Sequence, residues 1–192
     1  MTTQRAASCT VDVDKYVFIF INRPNTDFID YVRFDETDPT NAKTAESGKI
    51  GTKDGPIAAT SGPMSCVAMK TQSGQKTSTD LRLYFVVNGT LREARYACVE
   101  PTSNLKNGWV VLKENTDDRV SVMGKTGLDQ NVRAIDQTSY MSSGKTSKDH
   151  LPYIIWQVSG QATTTRFAFA AKTNDQIRWD SKTLTVELLP AN

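Results

Sequence analysis

Residues 81–97 read Leu-Arg-Leu-Tyr-Phe-Val-Val-Asn-Gly-Thr-Leu-Arg-Glu-Ala-Arg-Tyr-Ala. The two runs on either side of Asn88-Gly89 are rich in β-branched and aromatic residues, a composition typical of strands. Asn-Gly favours a two-residue type I′ turn, because both central residues of that turn need a positive φ. The segment therefore predicts an antiparallel hairpin with strands Leu81–Val87 and Thr90–Ala97.

Two other parts of the chain repeat this pattern. Tyr16–Asn22 is followed by Ile29–Phe34, and Tyr153–Ser159 is followed by Thr163–Ala168. An Arg followed by an aromatic residue occurs near the end of the second strand in all three cases. Self-similar strand pairs at a nearly fixed period are the mark of repeat architectures. We expect one all-β domain over residues 1–192, with approximate repeats 8–60, 65–123 and 131–189.

The fold class that these repeats predict is a β-propeller-like array of antiparallel sheets. No window has the sustained apolar spacing of an amphipathic helix, and only residues 38–47, which begin with Asp-Pro, suggest a helical turn. The polar segments Gln72–Thr79 and Ser142–Asp149 are expected to be loops. Propellers usually have about 4–8 blades. Three repeats therefore form either a short ring with split blades or an open array, whose exposed edges favour completion by a homodimer.

The composition bounds the partners and the compartment. Of the residues, 38% are hydrophobic and 23% charged, and 23 basic against 21 acidic residues give a net charge of +2. With the basic residues dispersed, we expect no nucleic-acid partner. The longest apolar run is too short to span a bilayer, so we expect no membrane partner. The chain shows no secretion signal, and its three cysteines (Cys9, Cys66 and Cys98) are far apart, which indicates reduced thiols and a cytoplasmic location.

The second repeat carries a more specific pattern. It reads Pro56-Ile-Ala-Ala-Thr-Ser61, then the hairpin of residues 81–97, then Asn107-Gly108-Trp109. This order resembles a blade of the fungal fucose-specific lectin family, whose members are β-propellers. The resemblance covers this repeat well and the other two only as a strand pattern.

The resemblance implies a carbohydrate-binding function in which a sugar lies between neighbouring blades. In that family an Arg from the second strand and a Glu from the third hold the sugar, and an aromatic ring packs on its apolar face. The matching ligand-binding residues here are Arg82, Glu93 and Trp109. Guanidinium and carboxylate groups offer complementary donors and acceptors to sugar hydroxyls. The structural alternative is a cross-strand Arg–Glu pair on a sheet face, which contributes roughly 0.2–1 kcal/mol.

The other repeats depart from the Arg–Glu pattern. At the positions of Arg82 and Glu93, the first repeat has Tyr16 and Tyr31, and the third has Tyr153 and Thr164. At most one repeat could therefore keep the sugar-binding set. The recurring Arg33, Arg95 and Arg166 point instead to a structural role, such as bracing neighbouring strands.

Catalytic patterns are mostly absent, and we expect no cofactor. The chain has one histidine, His150, which excludes a metal centre built from several histidines. Two functions remain beside carbohydrate binding. One is a propeller-fold natural-product enzyme of the cyclase type, with an aromatic-lined pocket that binds the transition state. The other is a structural or capsid-type interaction protein without a small-molecule site.

Overall fold

The computed structural model describes residues 7–23, 26–37, 46–59, 62–73, 76–87, 90–97, 99–100, 103–112, 138–145, 151–158, 164–173 and 176–185. Every regular element within these ranges is a β-strand. The strands are β1 (Ala7–Val13), β2 (Tyr16–Asn22), β3 (Ile29–Asp35), β4 (Glu46–Lys49), β5 (Gly51–Thr52), β6 (Gly55–Pro56), β7 (Ser65–Ser73), β8 (Lys76–Val87), β9 (Thr90–Tyr96), β10 (Trp109–Leu112), β11 (Thr138–Lys145), β12 (Pro152–Val158), β13 (Thr164–Thr173) and β14 (Gln176–Thr185).

Three four-stranded sheets make up most of the described fold, and in each the strands are neighbours in chain order. Sheet 1 consists of β1 to β4, sheet 2 of β7 to β10 and sheet 3 of β11 to β14, while β5 and β6 form a small ribbon. All pairings are antiparallel. The prediction of an all-β chain built from antiparallel sheets is thus confirmed for the described residues.

The hairpin of residues 81–97 forms with the predicted register. Strand β8 pairs with β9 from Leu81 opposite Tyr96 to Val87 opposite Thr90, which leaves two residues for the turn. Those two residues, Asn88 and Gly89, lie outside the described part of the chain. The corresponding strand pairs, β2 with β3 and β12 with β13, occupy the centres of sheets 1 and 3.

The prediction that residues 72–79 and 142–149 are loops is wrong where the structure describes them. Strands β7 and β8 continue to a pair between Ser73 and Lys76, so the polar segment is the end of a long hairpin. In the third repeat, residues 142–145 belong to β11. Thr and Ser fit a pleated strand whose side chains alternate, and the ladder pairs their backbone groups. A polar composition therefore did not indicate a loop.

Several other expected elements fall partly or wholly outside the described residues. Strands had been expected at Val132–Asp136 and Arg119–Met123, and the structure describes neither segment. The helical turn expected at residues 38–47 is described only at Glu46 and Ser47, which begin β4. Ala58, from the expected strand Ile57–Thr60, makes a single bridge with Phe28.

The hydrophobic core lies between sheets 1 and 2. Phe18, Phe20 and Tyr31 project from one face of sheet 1, because alternate residues of a strand share a face. They belong to one buried cluster with Leu83 and Trp109 of sheet 2. Full burial of such a side chain contributes about 1.5–3 kcal/mol. The cluster therefore unites the first two repeats in a single core.

The first strands of the three sheets are neighbours. Strand β7 of sheet 2 lies beside β1 of sheet 1 and also beside β11 of sheet 3. At the second of these contacts, Lys145 Nζ donates a hydrogen bond to the carbonyl oxygen of Ala68, with an N–O distance of 3.0 Å. Sheet 2 is thus the middle sheet of the described array.

Candidate functional site

Sheet 2 has two faces of different chemistry, which follow from its strand register. One face, called the core face, carries Leu81, Leu83, Ala94 and Trp109 and packs in the cluster with sheet 1. The other, called the charged face, is built from the intervening residues of each strand. Its members are Ser65, Val67, Met69, Asp80, Arg82, Tyr84, Val86, Leu91, Glu93, Arg95, Val110 and Leu112.

Arg82 and Glu93 meet on the charged face. Arg82 lies opposite Arg95 and Glu93 opposite Tyr84, so the two partners are diagonal neighbours on adjacent strands. Arg82 Nη1 donates to Glu93 Oε1 at 3.2 Å. The exposed fractions are 1% for Arg82 and 0% for Glu93. The structure therefore joins two of the three residues that the lectin resemblance selected, but it buries them completely.

A second ion pair lies next to the first. Arg95 Nε donates to Asp80 Oδ2 at 2.8 Å, and Arg95 Nη2 lies 2.6 Å from the same oxygen. Asp80 is fully buried. Two arginines opposite each other would repel, and the adjacent carboxylates offset their charges. The quartet of Asp80, Arg82, Glu93 and Arg95 is thus electrically neutral.

Asp80 was missed in the sequence because it lies in a segment interpreted as a loop. A signal was present: Asp80 and Arg82 alternate on one strand as Glu93 and Arg95 do on the next. The register set by the Asn88-Gly89 turn places all four side chains on one face.

Trp109 lies on the other side of sheet 2 from the Arg82–Glu93 pair. It pairs with Tyr96 on the core face, and its ring packs edge-on against Phe20 and Tyr96 at centroid distances of 5.7 and 5.6 Å. Its indole Nε1 donates to the carbonyl oxygen of Leu105 at 3.1 Å. The side chain is saturated by core contacts, and the sheet separates it from Arg82 and Glu93.

Sheet 1 has a polar cluster of its own, around Tyr31 and Arg33. The Tyr31 hydroxyl donates to Glu46 Oε1 at 2.5 Å, and the Arg33 guanidinium pairs with Glu46 Oε2. Burial and then this hydrogen bond raise the pKa of Tyr31 well above its usual value, so the hydroxyl remains a donor. Arg33 Nη1 also donates to Ser103 O at 3.2 Å.

The recurring arginines therefore act as the sequence suggested in two repeats. Arg33 joins β3 to β4 through Glu46, and Arg95 joins β9 to β8 through Asp80. For Arg166, the structure describes the backbone but not the side chain. Bracing of neighbouring strands accounts for the first two without a ligand.

The outer face of sheet 1, which points away from sheet 2, is apolar over its central strands. It carries Val17, Ile19, Ile21, Val32 and Phe34, which alternate with the core residues of β2 and β3. All five side chains are partly exposed, and none belongs to the cluster between sheets 1 and 2. This face, called the outer face of sheet 1 below, is the most extensive apolar surface among the described side chains of that sheet.

Comparison with known protein families and with curated proteins found no match to this chain. In the part of the chain that the structure describes, no three or more His, Cys, Asp or Glu side chains are grouped to hold a metal ion. No helix among the described residues has the length and apolarity needed to cross a membrane.

Proposed function

We propose that this chain is a structural interaction protein, in which three blade-like sheets assemble with a second copy through the outer face of sheet 1. The observation that carries the proposal is the row of partly exposed apolar residues Val17, Ile19, Ile21, Val32 and Phe34. Contiguous apolar surfaces rimmed by polar residues are typical of protein–protein contacts. On the edge strands of the same face, Thr10 and Asp12 are exposed and polar.

A propeller-like arrangement is the second part of the proposal. It is supported by the strand order, since each sheet is a four-stranded meander, as propeller blades are. It is also supported by the contacts of β7 with β1 and β11, because the first strands of successive blades line the centre of a propeller. In such an array the outer face of sheet 1 is one end of the row.

The second copy is the occupant that best fits this end. Three sheets fall short of the roughly 4–8 blades of known propellers, and two copies reach that range. A twofold axis would place sheet 1 of each copy against sheet 3 of the other, so the same contact forms twice and the ring closes. Together the two contacts would bury enough surface to meet the roughly 800 Å² per partner of a stable interface.

Measuring the mass of the protein in solution by light scattering tests this assembly. We expect a dimer, and we expect Val32→Asp to give a folded monomer, because it places a charge in the interface. Val110→Asp is the matched control: Val110 is 58% exposed on β10 of sheet 2, so this variant should remain a dimer. Circular dichroism checks that both variants fold. A monomeric wild-type protein, or equal dissociation of both variants, would contradict the proposal.

Carbohydrate binding is the second candidate, favoured by the Arg82–Glu93 contact that the lectin resemblance implies. Because Glu93 is fully buried, a sugar would have to separate the side chains that cover the charged face. A fucosylated oligosaccharide should then raise the melting temperature in a saturable way, and its non-fucosylated counterpart should not. No response to either sugar would leave assembly as the function.

A further inference from the structure

Two cysteines that are far apart in sequence lie side by side in the fold. Cys9 is on β1, opposite Phe20, and Cys66 is on β7, opposite Leu83. These strands are neighbours at the junction of sheets 1 and 2. Both cysteines face the shared core, where Cys66 is part of the buried cluster and Cys9 packs against it. Their thiols are close enough to form a hydrogen bond with each other.

The two thiols differ in access. Cys66 is 8% exposed, whereas Cys9 is partly exposed at the edge of the cluster. Both are free thiols in the structure. An oxidant from solution would therefore meet Cys9 first, and Cys66 would be the resolving partner behind it.

We propose that Cys9 and Cys66 form a reversible redox pair whose disulfide links sheet 1 to sheet 2. The oxidant is a small-molecule disulfide such as oxidised glutathione. The Cys9 thiolate attacks one sulfur of this disulfide, which forms a mixed disulfide and releases one small thiolate. The Cys66 thiolate then attacks the Cys9 sulfur, which releases the second. In sum, the protein thiols lose two protons and two electrons, and the small disulfide becomes two thiols.

The environment sets the rate of this step. Burial, and after it the hydrogen bond with Cys66, raise the pKa of the Cys9 thiol well above its usual value. The thiolate is the attacking species, so Cys9 reacts slowly at neutral pH. Below that pKa the thiolate fraction grows about tenfold per pH unit, and we expect the rate of disulfide formation to rise accordingly between pH 7 and 9.

The consequence of the link is mechanical. The disulfide would close a loop that contains all of sheet 1 and the β5–β6 ribbon. Closing a long loop reduces the conformational freedom of the unfolded chain, which stabilises the folded state relative to it. For a chain of this size we expect the melting temperature to rise by about 5–15 °C on oxidation.

The experiment uses the full chain with Cys98→Ser, so that only the two paired cysteines remain. The protein is equilibrated with oxidised or reduced glutathione at pH 8. Thiols are then counted after denaturation, and the crosslinked peptide is identified by mass spectrometry. We expect the loss of both thiols, a mass lower by two hydrogens, a Cys9–Cys66 peptide and the rise in melting temperature. Reduction should reverse all four.

Matched variants separate the pair from general thiol oxidation. Cys9→Ser and Cys66→Ser, each in the Cys98→Ser background, should show no oxidation-dependent rise in melting temperature. Two thiols that survive equilibration of the parent protein would overturn the proposal. A stable glutathione adduct on Cys9 without the internal crosslink would overturn it as well, because the resolving step would then not occur.

Discussion

At the scale of single residues, the charged face of sheet 2 shows how burial changes the meaning of a motif. Arg82 and Glu93 carry the lectin resemblance, yet the structure closes them inside the protein next to the Asp80–Arg95 pair. Removing two charges from water is costly, and a well-placed partner offsets that cost. The pair therefore specifies how the strands meet more than it adds stability.

The first prediction concerns this pair. Glu93→Gln should lower the free energy of unfolding by about 3–5 kcal/mol, because it leaves the Arg82 charge buried without its carboxylate. The double variant Arg82→Met with Glu93→Leu should recover much of the loss, since apolar side chains of similar size can replace a buried ion pair. Urea unfolding at pH 7 measures both.

Asp35→Asn is the matched control for an exposed pair. Hydrogen bonds from Lys15 and then from Thr37 lower the pKa of Asp35 to about 2, so its carboxylate is fully charged at pH 7. The Lys15–Asp35 contact of 2.7 Å lies at the surface, where water and salt screen it. Its loss should change stability far less than Glu93→Gln. Equal losses in the two variants would show that burial does not determine the effect.

At the scale of elements, backbone contacts between segments limit what each strand can carry. The β5–β6 ribbon is held by a hydrogen bond from Ile57 N to Ile50 O at 3.0 Å. A Cβ added at Gly51 would lie 2.5 Å from the carbonyl oxygen of Lys106 and 3.0 Å from that of Gly55. Gly51 is therefore required by the close approach of the segment before β10.

The second prediction follows from that approach. Gly51→Ala should lower the free energy of unfolding by about 1–3 kcal/mol, because backbone rather than a mobile side chain must move. Ser47→Ala on β4, an exposed strand position, is the control and should have little effect. Thermal unfolding of the two variants makes the comparison. A Gly51→Ala protein as stable as the wild type would contradict the packing described for this ribbon.

At the scale of the whole molecule, one core serves the first two sheets. Phe20 of sheet 1 packs against Trp109 of sheet 2, and both belong to the same buried cluster. A shared core makes the two sheets unfold together rather than as separate units. This is also why the Cys9–Cys66 junction and the outer face of sheet 1 are properties of the assembled sheets and not of single repeats.

The third prediction tests that shared core. Phe20→Ala in sheet 1 and Leu83→Ala in sheet 2 should each shift a single denaturation transition, with losses of about 2–5 kcal/mol. Far-ultraviolet circular dichroism and tryptophan fluorescence should give coincident curves in the wild type and in both variants. Two separated transitions, with each variant affecting only one, would show that the sheets are independent.

The sequence by itself determined the strands and the pairing within each hairpin, because these depend on local properties. β-branched and aromatic runs favour strands, and the Asn88-Gly89 turn sets the register that brings Arg82 and Glu93 to one face. Only the tertiary structure decided which faces are covered. It placed Trp109 on the opposite face, buried the charged quartet and brought Cys9 beside Cys66. Those contacts join segments far apart in the chain, and no local preference specifies how separate sheets pack.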